Sequence, residues 1–276
     1  MLKSKNLNYF KNKAWSLRKR VLKTAHKTGG KAAHLGGTMS CVEILIALYY
    51  SGYLFLPSIK SKSWKFRDRI IIGKGHAHIA LYEIWNDLGY LSDQTLNSYG
   101  QNGSKLGTQL DRNLTISEYN TGSLGHAVGI ANGICLASKF DKKKFGAIAL
   151  IGDGECESGS IWESVLNASK ERLNNLLVIV DVNRLSESQV SSKNSDKILR
   201  DKFKSFGWNS SIINGHKFSD IFFCLKKFKK LKKPFAIIAN TIKGKGVSYM
   251  ENNVEWHHKA PNEEQFKIAL NEYDEK

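Results

Sequence analysis

The stretch Gly146-Ala147-Ile148-Ala149-Leu150-Ile151-Gly152-Asp153-Gly154-Glu155 passes from an uncharged apolar run into a turn that sets a carboxylate between two glycines. An apolar run this short, with no polar alternation, suits a strand buried on both faces of a parallel sheet. Three other runs share the pattern: Arg69-Ile70-Ile71-Ile72-Gly73, Leu176-Leu177-Val178-Ile179-Val180 and Phe235-Ala236-Ile237-Ile238-Ala239. Longer segments with helical spacing lie between them, such as Trp162, Val165, Leu166, Ser169 and Leu173. Strands alternating with helices predict an α/β fold, a doubly wound and mostly parallel sheet with helices on both faces. In that architecture ligands bind beyond the carboxyl ends of the strands, so the residues just after each run are the ones to inspect.

The turn after Ile151 has the chemistry of a diphosphate and metal site. Glycines on either side of Asp153 let the backbone bend sharply and approach an anion closely, and the helix expected after them directs its first amides toward that anion. Asp153 repels a diphosphate unless a hard divalent cation stands between them, taking oxygen ligands from carboxylate, phosphates and a side-chain amide. Asn183 supplies such an amide thirty residues later, at the end of the next apolar run. One βαβ step sets those two strand ends side by side.

The chain has 276 residues, 41% of them hydrophobic, with no internal repeat and only three prolines. A single domain over residues 1–276 is expected, with residues 1–13 as a basic N-terminal arm. Nothing in the sequence approaches the about 18 consecutive apolar residues of a membrane span, and a cytoplasmic protein is expected. Cys41, Cys135, Cys156 and Cys224 are scattered without metal-ligand spacing, which predicts buried free thiols. The net charge of +17 gathers near the N-terminus and in the run from Lys226 to Lys233. There Ser219 is a candidate helix cap, and Ile221, Phe222, Leu225 and Phe228 recur at helical spacing, giving an amphipathic helix with a basic outer face. No zinc finger, recognition helix or aromatic stacking motif accompanies the charge, so it is assigned to anionic substrates or an acidic partner rather than nucleic acid.

Further motifs surround the turn. They include Lys74-Gly75-His76-Ala77, Thr121-Gly122-Ser123-Leu124-Gly125, Trp162-Glu163, Asn183-Arg184-Leu185, Phe206-Gly207-Trp208, Asn214-Gly215-His216, Lys243-Gly244-Lys245-Gly246-Val247 and Glu255-Trp256-His257-His258-Lys259-Ala260-Pro261. In this order they resemble the transketolases, from about residue 14 to 270, over the part of that family that binds the diphosphate of thiamine diphosphate. The resemblance implies that Asp153, the Asn183 side chain and the Leu185 carbonyl hold Mg²⁺ or Ca²⁺. It implies that the Gly154 amide meets the diphosphate, with Gly152 and Glu155 in the same turn, and that Gly122 and Leu124 line the thiazolium. His34 matches a substrate-channel histidine. His76 and His257 match histidines at the diphosphate and the reacting substrate, and imidazoles suit that place because they donate hydrogen bonds and exchange protons near neutral pH. Lys243 matches a lysine beside the same cofactor.

Transketolases carry a second α/β domain for the pyrimidine ring, and with it the glutamate that activates the cofactor; no such domain follows here. The resemblance therefore implies an N-terminal subunit that works only with a separate C-terminal partner, as an α2β2 heterotetramer, in transfer of a two-carbon ketol unit from a ketose to an aldose. Phosphorylated or nucleotide-linked sugars are the expected substrates. Two positions depart from the family. Thr108-Gln109-Leu110 stands where Gly-His-Pro is usual, so Gln109 replaces a histidine that recognises the donor's C1 hydroxyl, and Ser158 replaces a glutamate that joins a carboxylate network between active sites. These departures predict a specialised sugar substrate, with a related carbon–carbon bond-forming enzyme using a keto-acid donor as the alternative.

Overall fold

A computed structural model describes residues 6–29, 33–185 and 192–274. Five strands form one sheet: β1 (Arg69–Ile72), β2 (Ala147–Gly152), β3 (Leu176–Val182), β4 (Asn209–Asn214) and β5 (Phe235–Asn240). All pairings are parallel and the spatial order is β1-β2-β3-β5-β4. The apolar runs fix four of these strands. Their period-2 pleat sends Ile70, Ile72, Ile148, Leu150, Leu177 and Ile179 to one face, and Ile71, Ala149, Ile151, Val178 and Val180 to the other. Both faces are covered, which is why no polar residue interrupts the runs.

The helices are α1 (Leu7–Lys27), α2 (Leu35–Ser40), α3 (Val42–Tyr50), α4 (His78–Asp87), α5 (Asp93–Asn97), α6 (Ala127–Phe140), α7 (Gly159–Lys170), α8 (Ser195–Ser205), α9 (Phe218–Phe228) and α10 (Glu263–Asp274). The first face packs under residues of α1, α3, α4 and α9, and the second under α6, α7 and α8. α1 opens on Asn6, whose Oδ1 accepts the Tyr9 amide at 3.0 Å, and buries Phe10, Ala14, Leu17, Val21 and Ala25 along one stripe. The basic arm drawn over residues 1–13 is therefore part of this helix from Leu7 onward, because Phe10 belongs to the core. Among the described residues no helix is long and apolar enough to cross a membrane. All four cysteines are buried and unpaired.

Three local expectations need correction. β4 escapes a search for apolar runs, since Asn209-Ser210-Ser211 at the edge of the sheet is only half-buried. Ser219 does not cap α9: Lys217 precedes that helix, and the Ser219 hydroxyl donates instead to Asp220 at 3.2 Å. On α7, Leu166 faces outward and Leu173 lies beyond the helix end, where it is buried.

Candidate functional site

β2 and β3 deliver the turn and its partner together. Gly152 pairs with Asp181, and the chain then makes a single tight turn over Gly154–Glu157 before α7. Asp153 is held from both sides: Oδ1 accepts the Gly154 amide at 3.1 Å, and Oδ2 accepts the Arg184 amide at 2.9 Å. Burial, reinforced by the negative charge of Asp181, pushes the Asp153 carboxyl above its ordinary range. The side chain of Asn183 is turned toward its own strand end, with Oδ1 accepting the Leu185 amide at 3.1 Å. The Leu185 carbonyl accepts from Lys243 Nζ at 2.8 Å.

These groups line one cleft of about 300 Å³, together with Gly37, Lys74, Leu124, Gly152, Gly154, Glu155, Glu157, His76 and His257. Ten of the residues singled out from the sequence thus meet at the carboxyl edge of the sheet: His76, Leu124, Gly152, Asp153, Gly154, Glu155, Asn183, Leu185, Lys243 and His257. His34, Gln109 and Gly122 are not among the lining residues but adjoin it. The His34 ring lies 5.8 Å from that of His76 and 6.0 Å from that of His257. Gln109 Oε1 accepts from Thr121 Oγ1 at 3.0 Å and occupies the space that a side chain at Gly75 would need. A Cβ at Gly122, which has φ +127°, would sit 3.8 Å from Gln109 Cγ.

Close packing around the histidines is set by glycine. A Cβ at Gly37 would come within 2.6 Å of His76 Nε2, so no larger residue fits there without moving the ring. Burial, with the charge of Lys74 and the neighbouring histidines, holds His76 well below the usual histidine range. His257 is held at about 4 by burial and then by Lys243, whose Nζ stands 2.8 Å from Nδ1. Lys243 is itself 1% exposed. An ammonium can only donate, so Nδ1 accepts and the proton of the neutral ring sits on Nε2. Glu155 is pushed up to about 7 by burial; Oε1 accepts the Gly125 amide at 3.0 Å, while Oε2 has no hydrogen-bond partner among the described residues.

A buried polar cluster beneath the cleft has no counterpart in the sequence expectations. Asp181 receives Lys74 Nζ and Thr241 Oγ1, and Ser40 Oγ at 2.6 Å. The Lys74 charge is the main influence that overcomes burial and keeps Asp181 low. Two charged residues close to the ends of otherwise apolar strands were the available signal. His216, by contrast, serves the scaffold: Nε2 accepts the Ile242 amide at 2.9 Å and Nδ1 donates to Glu43 at 2.8 Å.

Asp153, Asn183 and Leu185, which carry a carboxylate, an amide oxygen and a carbonyl oxygen, line the same cleft. Hard oxygens suit Mg²⁺ or Ca²⁺, and so few protein ligands leave room for phosphate oxygens to complete the shell. Among the described residues no three His, Cys, Asp or Glu side chains gather as a metal site of their own. The donor set fits a cation held jointly with a phosphorylated ligand.

Residues 12–274 match the family model described as transketolase, thiamine diphosphate binding domain. The chain is 37% identical over 264 residues to one of the subunits of the apulose-4-phosphate transketolase of Phocaeicola vulgatus, covering 94% of this chain and 92% of that protein. It is 33% identical over 261 residues to a 6-deoxy-6-sulfo-D-fructose transketolase subunit of a Clostridium species, covering 94% of each. Against human transketolase it is 32% identical but spans 38% of that protein's length. The crystal structure of Campylobacter jejuni transketolase superposes with a TM-score of 0.87 at 28% identity, over 98% of this chain and 43% of that one.

Proposed function

The chain belongs to the transketolase family as its thiamine diphosphate-binding part, and we propose that its cleft holds the diphosphate and a divalent cation for a two-chain enzyme. It is the N-terminal subunit of a transketolase-type transferase that works with a second subunit. The observation that carries this is the convergence of Asp153, Asn183 and Leu185 in one cleft, in a chain that matches proteins named as transketolase subunits over 94% and 97% of its length.

Asp153, Asn183 Oδ1 and the Leu185 carbonyl would hold Mg²⁺ or Ca²⁺, and the Gly154 amide, in the same turn as Gly152 and Glu155, would meet the diphosphate in place of Asp153 Oδ1. Gly122 and Leu124 border the thiazolium. When bound, thiamine diphosphate supplies the electron sink for breaking the bond next to the donor's carbonyl. The chain's own residues orient substrate and move protons. His257 presents Nε2–H because Lys243 occupies Nδ1, so it donates to phosphate or substrate oxygen. The rings of His76 and His34 lie beside it, with His34 5.8 Å from His76 and 6.0 Å from His257. A cytoplasmic α2β2 heterotetramer, with the pyrimidine-binding domain on the partner, completes the site.

Gln109 favours a specialised sugar over the ordinary ketose phosphates. Thr121 Oγ1 accepts the Leu110 amide at 2.8 Å, so its proton goes to Gln109 Oε1. The amide therefore keeps its two N–H donors for a ligand and moves no proton. The named two-chain relatives act on apulose 4-phosphate and on a sulfonated fructose, and a modified sugar fits a donor position changed in this way.

The test is binding and turnover with the partner chain. Magnesium-dependent binding of thiamine diphosphate is expected, with Asp153→Ala weakening it at least a hundredfold at an unchanged fold, as loss of a charged metal ligand does. Binding that is indifferent to both Mg²⁺ and Asp153 would sink the metal assignment. Rapid turnover of xylulose 5-phosphate with ribose 5-phosphate would remove the specialised substrate and leave the cofactor site standing.

A further inference from the structure

A second concavity lies at the opposite edge of the sheet, where β1 and β2 begin, with a volume of about 760 Å³. That volume is in the range of sites that hold small molecules. Its walls include Tyr53, Phe55, Phe66, Phe145 and Phe228, with Phe55 51% and Phe66 42% exposed. Large aromatic rings open to solvent inside a concavity are unfavourable unless something flat covers them.

Lys142, Lys143, Lys144 and Lys229 line the same cleft. Asp68 is the only carboxylate among the described lining residues, and its two oxygens are taken by the Gly146 and Phe55 amides, each at 2.8 Å. Two of the ammoniums lie over the rings, Lys143 at 5.4 Å from the Phe66 centroid and Lys229 at 5.9 Å from that of Tyr53. Two of the four charges thus stand at ring faces, and all four lysines remain exposed. Four cations in a concave, partly apolar site concentrate field on an anion with several charges.

We propose that this cleft is a binding site for an aromatic polyphosphate, a nucleotide, whose base displaces the Lys143 ammonium from the Phe66 ring and lies there and on Phe55, while its phosphates take Lys142, Lys143, Lys144 and Lys229. It is separate from the cofactor cleft, which stands at the carboxyl ends of the strands and is lined by none of these residues. The ring walls favour a ligand with a flat apolar part over a bare phosphate, and the volume of the cleft suits one nucleotide. This assignment does not depend on the cofactor reading.

The probe is ATP without metal, titrated calorimetrically into the full chain at about 0.1 M salt, where long-range surface attraction is screened. One-to-one binding is expected, at least about tenfold tighter than tripolyphosphate, from the stacking of one base. Lys143→Ala and Lys229→Ala should each weaken ATP about tenfold, the worth of a charge-assisted hydrogen bond. Phe66→Ala should weaken ATP and leave tripolyphosphate unchanged. Lys23→Ala on α1 and Lys243→Met in the cofactor cleft should leave ATP binding as it was. Equal affinity for tripolyphosphate, an equal loss with Lys23→Ala, displacement of the effect to Lys243→Met, or binding of single-stranded oligonucleotides with none of ATP would each overturn the proposal.

Discussion

Lys243 shows how one buried side chain sets the chemistry of another. Its ammonium bridges the Leu185 carbonyl and His257 Nδ1, at 2.8 Å each. Burial and then this charge hold His257 at about 4, so replacing the ammonium with an isosteric thioether should let the imidazole titrate closer to its ordinary value. Lys243→Met is expected to raise the His257 titration seen by NMR; a midpoint still near 4 would mean that burial and the neighbouring His258, His34 and Lys74 set it without Lys243. A second pair carries structural weight. Lys74 and Asp181 are 2% and 0% exposed, so removing either charge strands the other. Lys74→Met or Asp181→Asn should each cost about 3–5 kcal/mol in urea unfolding, and the double variant less than their sum. Asp153 and Asn183 were legible in the sequence because each follows an apolar run and has a plain chemical use. The Lys74–Asp181 pair was not, because its members are 107 residues apart and only the strand register brings them together.

Elements are locked by a polar contact as well as by apolar packing. Arg18 on α1 makes a two-pronged pair with Glu43 on α3, at 2.6 and 2.7 Å, and donates to the Lys245 carbonyl beyond β5. His216, between β4 and α9, donates to the same carboxylate. Burial raises the Glu43 pKa, but the Arg18 charge and the hydrogen bonds from His216 and Arg18 outweigh it and hold the group at about 2. The folded value lies below the unfolded one, so this stability is fully present above about pH 4.5 and is lost as pH falls toward 2. Glu43→Gln should therefore lower stability by about 3 kcal/mol at neutral pH, and the gap from wild type should close as pH falls from 5 to about 2. Melting curves across that range check it; a gap constant with pH would point to packing instead. Buried strands announced themselves by unbroken apolar runs, whereas β4, half-buried and beginning Asn209-Ser210-Ser211, gave no such signal. Helix ends were least legible, as Ser219 shows, because a hydroxyl near a boundary caps only if the backbone turns toward it.

At the scale of the molecule, the cofactor cleft is open on one side, and Leu124 stands 51% exposed at it. A large apolar side chain beside polar groups is costly to leave in water and useful only when covered. The proposed function supplies two covers, the cofactor's ring and the surface of the partner chain. The chain spans 38–43% of the length of the human and Campylobacter jejuni transketolases it matches. Burying a leucine is worth about 1.5–3 kcal/mol, so Leu124→Ala should weaken thiamine diphosphate in the two-chain complex by about tenfold or more. The isolated chain should melt as wild type does, because an exposed side chain contributes little to its own fold. Titrating the cofactor against the complex and measuring both melting temperatures separates these outcomes. Unchanged cofactor affinity with a weakened association between the two chains would place Leu124 at their interface rather than at the thiazolium.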